Sequence, residues 1–366
     1  MLTQFTSRKT FLLKKELALV CAFIMLFTAC KKHGHDIILD NYEQTNLVAD
    51  VNGYGAANID PNLVNAWGIA AAPSGPIWVS AAETGFSTIY DKMGATLRPP
   101  VVIPGPGNMG KGAPTGVVFN NTTDFAILFE KNLVASRFIF ATEDGTLAAW
   151  GPGTGGTAVI VADRSPWKAV YKGLAMASHD GQNYLYATNF RTGKVDIFDK
   201  DFKFVTDNSF KDPSIPAGFA PFNIRLIGDK LYVTYAKQEQ PDKEDDEPGP
   251  GNGYVDIYRT DGALVKRFAS KGALNSPWGM VESGAPFCNL KHAILIGNFG
   301  DGRINMYDDN GKLVGPLSSL GKPISIEGLW ALENKIPLAD PEQLFFTAGP
   351  DDEAHGLFGY LLKANK

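Results

Sequence analysis

A strand–turn–strand unit recurs along the chain, and this repeat constrains the fold more than any other feature of the sequence. Each copy has an apolar strand, a short loop with an acid or an amide and a glycine, and a second strand that ends in an aromatic residue. The six copies begin at Ile77, Phe138, Tyr184, Leu231, Ile294 and Leu344. Repeats of about 50 residues built from several strands are typical of propeller blades, so six copies predict six blades.

A further strand precedes each copy and carries a glycine or an asparagine. These residues are Gly68, Gly116, Gly173, Asn223, Gly279 and Gly328. Their spacing makes Gly328 the equivalent of Gly68 in the last copy. No long helical periodicity competes with the strand pattern. The sequence therefore predicts an all-β fold, a single six-bladed β-propeller, which we expect to be a monomer.

The two ends of the chain predict how the ring closes. The last copy ends at Lys366, soon after its third strand, whereas an apolar segment at residues 45–50 precedes the first blade. We expect this N-terminal segment to complete the last blade as its outer strand, because such pairing removes open strand edges. The propeller is assigned to residues 46–366, and the short polar stretch 30–45 is assigned as a tether.

The N-terminus has the pattern of a bacterial lipoprotein signal over residues 1–29. An apolar run, Leu17–Thr28, is too short for a stable membrane span and follows four basic residues. A small residue and Cys30 end the run, although Phe27 stands where an aliphatic residue is usual. We expect lipid on Cys30 to hold the protein to a bacterial membrane in the cell envelope, outside the cytoplasm. An uncleaved anchor is the alternative.

Charge and cysteine content restrict the partners. The net charge is -5, and cleavage after residue 29 would make it more negative, because four basic residues and one acid are lost. An acidic body argues against binding to nucleic acid or to anionic lipid surfaces. Cys288 would then lack a disulfide partner, and it is either a buried structural residue or a reactive thiol.

One acidic insertion, at residues 238–251, interrupts the fourth copy. Its acids could bind Ca²⁺, but they lack the spacing of an EF-hand loop. Runs of acids are usually solvated, so we interpret the insertion as a solvated loop.

Several segments together resemble an uncharacterised bacterial family of exported propellers, some of whose members end in a PEP-CTERM sorting tail. They are residues 60–68, 141–145, 220–224, 297–302 and 351–356. This chain lacks the sorting tail. The resemblance implies an exported six-bladed propeller and carries no established activity. More distantly, the blades are similar to NHL and gluconolactonase-like propellers.

The equivalent loop of each copy supplies an acid or an amide to one predicted face of the ring. The candidate ligand-binding residues are Glu83, Glu143, Asn189, Asn298 and Asp352. Converging carboxylates and amides would form a ring of oxygen ligands, which favours Ca²⁺ or Mg²⁺, although no cofactor is firmly indicated. The alternative is that these residues only stabilise turns.

The similarity to gluconolactonase-like propellers suggests a metal pair, Glu327 and Asn223. That family's further aspartate is absent, because Ser276–Gly279 stands at its place. Trp67, Trp278 and Trp330 are interpreted as blade packing. No catalytic set is complete, so the first hypothesis is a binding or scaffold protein for an unknown small molecule or protein. The alternative is a metal-dependent, lactonase-like hydrolase with a divalent cation in the central channel.

Overall fold

The computed structural model describes residues 41–73, 75–205 and 209–364, and this part of the chain is built from strands β1 to β29. The predicted signal at residues 1–29 and Cys30 lie outside the described residues. Blades 1 to 3 are four-stranded, and from the inner to the outer strand they contain β3 (Ala66–Ala71), β4 (Ile77–Ala81), β5 (Phe86–Tyr90) and β6 (Val101–Val102); β7 (Pro114–Phe119), β10 (Phe138–Thr142), β11 (Thr146–Trp150) and β12 (Val159–Asp163); and β13 (Tyr171–His179), β14 (Gln182–Asn189), β15 (Lys194–Phe198) and β16 (Phe204–Val205).

Blades 4 and 5 have the same antiparallel order. They contain β17 (Phe219–Ile227), β18 (Lys230–Lys237), β19 (Gly253–Tyr258) and β20 (Leu264–Ser270); and β21 (Pro277–Ser283), β22 (Ala293–Asn298), β23 (Ile304–Tyr307) and β24 (Leu313–Pro316). Two hairpins lie outside the blades, namely β8 (Ala126–Phe129) with β9 (Asn132–Ala135), and β25 (Ser318–Ser319) with β26 (Lys322–Pro323).

The sixth blade joins the two ends of the chain and confirms the predicted closure. Its inner three strands are β27 (Leu329–Glu333), β28 (Gln343–Ala348) and β29 (Leu357–Lys363), and its outer strand is β1 (Tyr42–Ala49). β1 runs antiparallel to β29, and the short β2 (Asn58–Ile59) adds to it in parallel. β1 begins at Tyr42, so the last residues of the predicted tether belong to this strand.

Helical structure in the described residues is limited to three short 3-10 turns, at Pro106–Asn108, Pro152–Thr154 and Ser165–Trp167. In the same part of the chain, no helix has the length and apolar character needed to cross a membrane. Cys288 is buried, and its thiol donates a hydrogen bond to the carbonyl oxygen of Leu290 at 3.4 Å. This is the environment of a structural cysteine.

Glycines let the inner strands approach one another closely around the channel. A Cβ atom on Gly68 would lie 2.5 Å from the carbonyl oxygen of Thr115 in the next blade. One on Gly116 would lie 2.5 Å from the nitrogen of Leu174, and one on Gly279 would lie 2.6 Å from the carbonyl oxygen of Trp330. Real Cβ atoms do not come this close, so a side chain at these positions would push the blades apart.

The register of the last blade corrects the predicted alignment of Gly328. Leu329 pairs with Ala348 as Ala66 pairs with Ala81, so Ala331 corresponds to Gly68, and Gly328 corresponds to Asn65. The physical reason is the backbone just before the inner strand, which is left-handed at Asn65 (φ 50°) and at Gly328 (φ 64°). Glycine and asparagine tolerate that conformation best.

Candidate functional site

The inner strands all begin at one end of the channel, which we call the upper face. Because neighbouring strands in a blade are antiparallel, the loop between the second and third strands also lies on this face. Equivalent positions at the start of the inner strands form one layer across the channel. Its members are Trp67, Thr115, Lys172, Phe222, Trp278 and Trp330.

Aromatic rings close the channel within this layer. The ring centroids of Trp67 and Trp330 are 3.7 Å apart, and Trp278 packs edge-on against them at 5.9 and 5.8 Å. Asn65 Oδ1 accepts hydrogen bonds from the indole nitrogens of Trp67 at 2.8 Å and of Trp330 at 3.0 Å. The three indoles are almost completely buried, as expected for residues that pack rather than form an open platform.

Lys172 is the one cation in this layer. Its ammonium group forms ion pairs with Glu143 of blade 2 and, at 3.0 Å, with Asp245 of the acidic insertion, and it lies 5.1 Å from the ring centroid of Trp67. Burial alone would lower the pKa of Lys172, but the two carboxylates outweigh burial and hold this pKa above its usual value. Lys172 is therefore charged and fixed over the aromatic floor.

The acidic insertion contacts the upper mouth, which corrects the expectation of a fully solvated loop. Gln238 Nε2 donates to the carbonyl oxygen of Phe190 at 2.6 Å, and Arg191 forms an ion pair with Glu244. Asp246 turns inward, and burial raises its pKa to about 6. The sequence pattern of the insertion gave no sign of Lys172 and Arg191, the distant cations that hold it.

Glu353 completes the cluster from blade 6. It is the third of three successive non-glycine residues with left-handed backbone, after Asp351 and Asp352, with φ values of 58°, 49° and 66°. Burial first, and then the nearby charges of Glu143 and Asp245, raise the pKa of Glu353 to about 7. The sequence analysis selected Asp352 in this loop, because no periodicity shows which acid turns inward.

The predicted ligand-binding residues share the upper face but do not form one ring. Glu143 lies at the mouth, whereas Asp352 is exposed and Glu83 lines a separate groove between blades 1 and 2 with Lys111 and Asp144.

The two predicted amides stabilise their own loops. Asn189 is buried and donates to Asp196 Oδ2 at 3.0 Å. Asn298 is also buried and donates to the carbonyl oxygen of Ala273 at 2.8 Å. The turn-stabilising alternative therefore describes both residues in this structure.

The predicted metal pair is not brought together by any contact in the described structure. Glu327 is exposed and accepts a hydrogen bond from the Asp351 backbone at 3.2 Å. Asn223 is buried, donates to the carbonyl oxygen of Trp278 at 2.8 Å, and lines a channel cavity of about 280 Å³. Across residues 41–364, outside the gaps, no group of three or more histidine, cysteine, aspartate or glutamate side chains is placed to hold a metal ion.

Comparison with solved structures supports the propeller architecture. Virginiamycin B lyase from Staphylococcus aureus matches with a TM-score of 0.51 and 12% identity over 88% of this chain and 99% of the lyase. The GH93 α-L-arabinofuranosidase of Fusarium graminearum matches with a TM-score of 0.54 and 12% identity over 90% of this chain and 98% of the enzyme. At such low identity, these matches show the fold alone.

Sequence comparison identifies relatives in a giant virus. No family model matches the chain. It is 33% identical over 317 residues to the uncharacterized protein L690 of Acanthamoeba polyphaga mimivirus, across 84% of this chain and 82% of the relative. It is 34% identical over 320 residues to the uncharacterized protein R648 of the same virus, across 84% and 77%. The chain therefore belongs to the family of these mimivirus proteins, and its fold is a six-bladed β-propeller.

Proposed function

We propose that this protein is a non-enzymatic binding propeller that takes up its ligand at the upper mouth of the channel. The observation that carries the proposal is the cluster of Lys172, Glu143, Asp245 and Glu353, whose members come from four different blades. Polar groups that converge over an apolar floor are typical of small-molecule sites. The rigid ring holds these groups in place before a ligand arrives, which reduces the entropy cost of binding.

The lactonase-like hydrolase is the second candidate that the sequence suggested. It requires a divalent cation held by Glu327 and Asn223 near the substrate carbonyl, where the ion would act as a Lewis acid. These two residues have different hydrogen-bond partners, and Asn223 already uses both ends of its amide group. The contacts at the upper mouth therefore favour the binding function.

Export and anchoring form part of the proposal. The basic and apolar pattern of residues 1–29, followed by Cys30, supports lipidation and a position in the cell envelope of a bacterium. Membership of the bacterial exported family with PEP-CTERM relatives rests on the sequence segments that resemble it, since the two mimivirus relatives are viral proteins. If Cys30 carries the lipid, Cys30→Ala should move the protein from the membrane fraction to the soluble fraction.

A thermal-shift screen of a chemically diverse compound library tests the binding function. Compounds that bind at the mouth should stabilise the full chain but not Glu143→Gln, whereas the exposed Glu130→Gln should respond like the parent protein. Hits that stabilise all three proteins equally would place binding elsewhere and overturn the proposal.

Metal content and lactone turnover, measured on the same protein and on Glu327→Gln, test the alternative. A divalent ion that is bound by the parent, lost in Glu327→Gln and needed for turnover would make the protein an enzyme.

A further inference from the structure

We infer that the ligand bound at the upper mouth carries an organic ammonium group. This inference rests on the proposed binding function and adds the chemical class of the ligand. It depends on the balance of charge around Lys172, on the way in which the mouth already holds one ammonium group, and on buried polar atoms that lack a partner.

Carboxylates outnumber cations at the mouth. Glu143, Asp245, Asp246 and Glu353 interact electrostatically with Lys172, which is the only cation that faces this cluster among the described residues. Lys172 forms ion pairs with Glu143 and Asp245 alone. Within the described chain, Asp246 and Glu353 form no ion pair with any lysine, arginine or histidine. A second positive charge would relieve the repulsion between these acids.

The position of Lys172 shows how an ammonium group is accommodated here. Its Nζ atom has carboxylates on two sides and the face of Trp67 at 5.1 Å, which is within the range of a cation–π interaction. A further aromatic surface is available beside it, because Phe299 is partly exposed and stacks on Trp330 with ring centroids 4.0 Å apart. The mouth therefore offers acidic and aromatic surfaces to a second organic cation.

Two buried polar atoms at the mouth lack a hydrogen-bond partner of good geometry among the described residues. Asp246 Oδ2 is an acceptor whose neighbour, Ser276, is fully buried. Asn65 Nδ2 is a donor on a fully buried side chain that neighbours Glu353. Buried polar groups of this kind are costly unless they are paired. The acceptor suits an ammonium group, and the donor suits a hydroxyl or carbonyl oxygen on the same ligand.

An organic cation fits these groups better than a metal ion. In the described chain, no three acidic or histidine side chains are placed to share one ion. A bare cation would also leave the Asn65 amide without an acceptor, whereas an amine that bears a hydroxyl or carbonyl group can meet both kinds of atom.

Matched sets of small molecules test the inference on the full chain purified in detergent. The amines are glucosamine, phenethylamine and 1,4-diaminobutane, and the neutral counterparts are glucose, 2-phenylethanol and 1,4-butanediol. The carboxylates are glucuronate and 3-phenylpropionate, and CaCl₂ serves as the metal probe. Isothermal titration calorimetry at pH 8 gives each affinity. At least one amine should bind ten or more times as tightly as its counterparts.

Substitutions at the mouth locate the binding. Glu353→Gln and Asp246→Asn should each weaken amine binding at least tenfold, whereas Glu130→Gln, the same change at an exposed turn, should leave it within twofold. Alcohols or carboxylates that bind at the mouth as tightly as the amines would overturn the ammonium assignment and leave the binding function intact. Ca²⁺ binding that is lost in Glu353→Gln would assign a metal site instead. If no probe binds, the ammonium assignment fails, and the library screen decides the binding function separately.

Discussion

His355 Nδ1 lies 2.8 Å from Asp50 Oδ2, and this contact joins the N-terminal segment of the propeller to the last loop of the ring. The other carboxylate oxygen of Asp50 accepts a hydrogen bond from the backbone nitrogen of Gly356 at 2.9 Å. The Asp50 side chain is 5% exposed, so water screens this contact only weakly. Closure of the ring therefore combines the pairing of β1 with β29 and a buried carboxylate.

The Asp50–His355 contact should make ring stability depend on pH. The hydrogen bond and the charge of Asp50 raise the pKa of His355 above its usual 6.5. Stabilisation by a raised histidine pKa is fully present below that usual value and is lost as pH rises through the pKa of the folded state. Melting temperatures of the parent and of His355→Gln should differ most at pH 6 and least near pH 9. An equal difference across this range would contradict the assignment.

The outer strand of the last blade should be essential for the whole ring. Leu47 is 3% exposed in β1, whereas Val51, just beyond the strand, is 37% exposed. Leu47→Ala should lower the free energy of unfolding by roughly 2–5 kcal/mol, because it removes packed methyl groups and leaves a cavity. Val51→Ala should change it by about 0.5 kcal/mol or less. Urea titration measures both, and a deletion of residues 45–51 that leaves the melting temperature unchanged would disprove closure by this strand.

The close approach of the inner strands should make Gly68 intolerant of substitution. The Cβ atom of Gly68→Ala would meet backbone atoms at 2.5 and 2.9 Å, whereas Gly156→Ala would meet nothing within 4 Å. Gly68→Ala should cost roughly 1–3 kcal/mol through overpacking, and Gly156→Ala should be close to neutral. Chemical denaturation of both variants measures the difference, and equal stability would mean that the blades can move apart freely.

Periodicity made the fold predictable, because each blade repeats the same alternation of buried and exposed positions. The six blades and the closing strand follow from that pattern, as the pairing of β1 with β29 confirms. The alignment of Gly328 was wrong because a glycine that provides a left-handed turn and a glycine that allows close packing look identical in a sequence. Only the pairing of Leu329 with Ala348 separates the two roles.

The candidate site was less predictable, because it depends on contacts between residues far apart in the chain. Glu143 was identified from its loop position, but Lys172 is one residue in an ordinary strand pattern, and its ion pairs with Glu143 and Asp245 span three blades. Asn189 and Asn298 occupy equivalent loops but turn into them. The direction in which a loop side chain points depends on local backbone angles, which a single sequence does not specify.

The buried carboxylate of Glu353 should lower the stability of the fold at neutral and higher pH. Burial and the neighbouring Glu143 raise its pKa from 4.5 to about 7, so the folded protein holds this proton more tightly than the unfolded chain does. Stability then falls as pH rises from 4.5 towards 7, and it falls no further above the folded pKa. Glu353→Gln removes this penalty and should be more stable than the parent at pH 8, by on the order of 3 kcal/mol. At pH 4 the two proteins should be nearly equal, and Glu130→Gln should match the parent at both values. Urea titrations at pH 4 and pH 8 measure these differences. A Glu353→Gln protein that is less stable than the parent at pH 8 would mean that Lys172 more than compensates the buried charge.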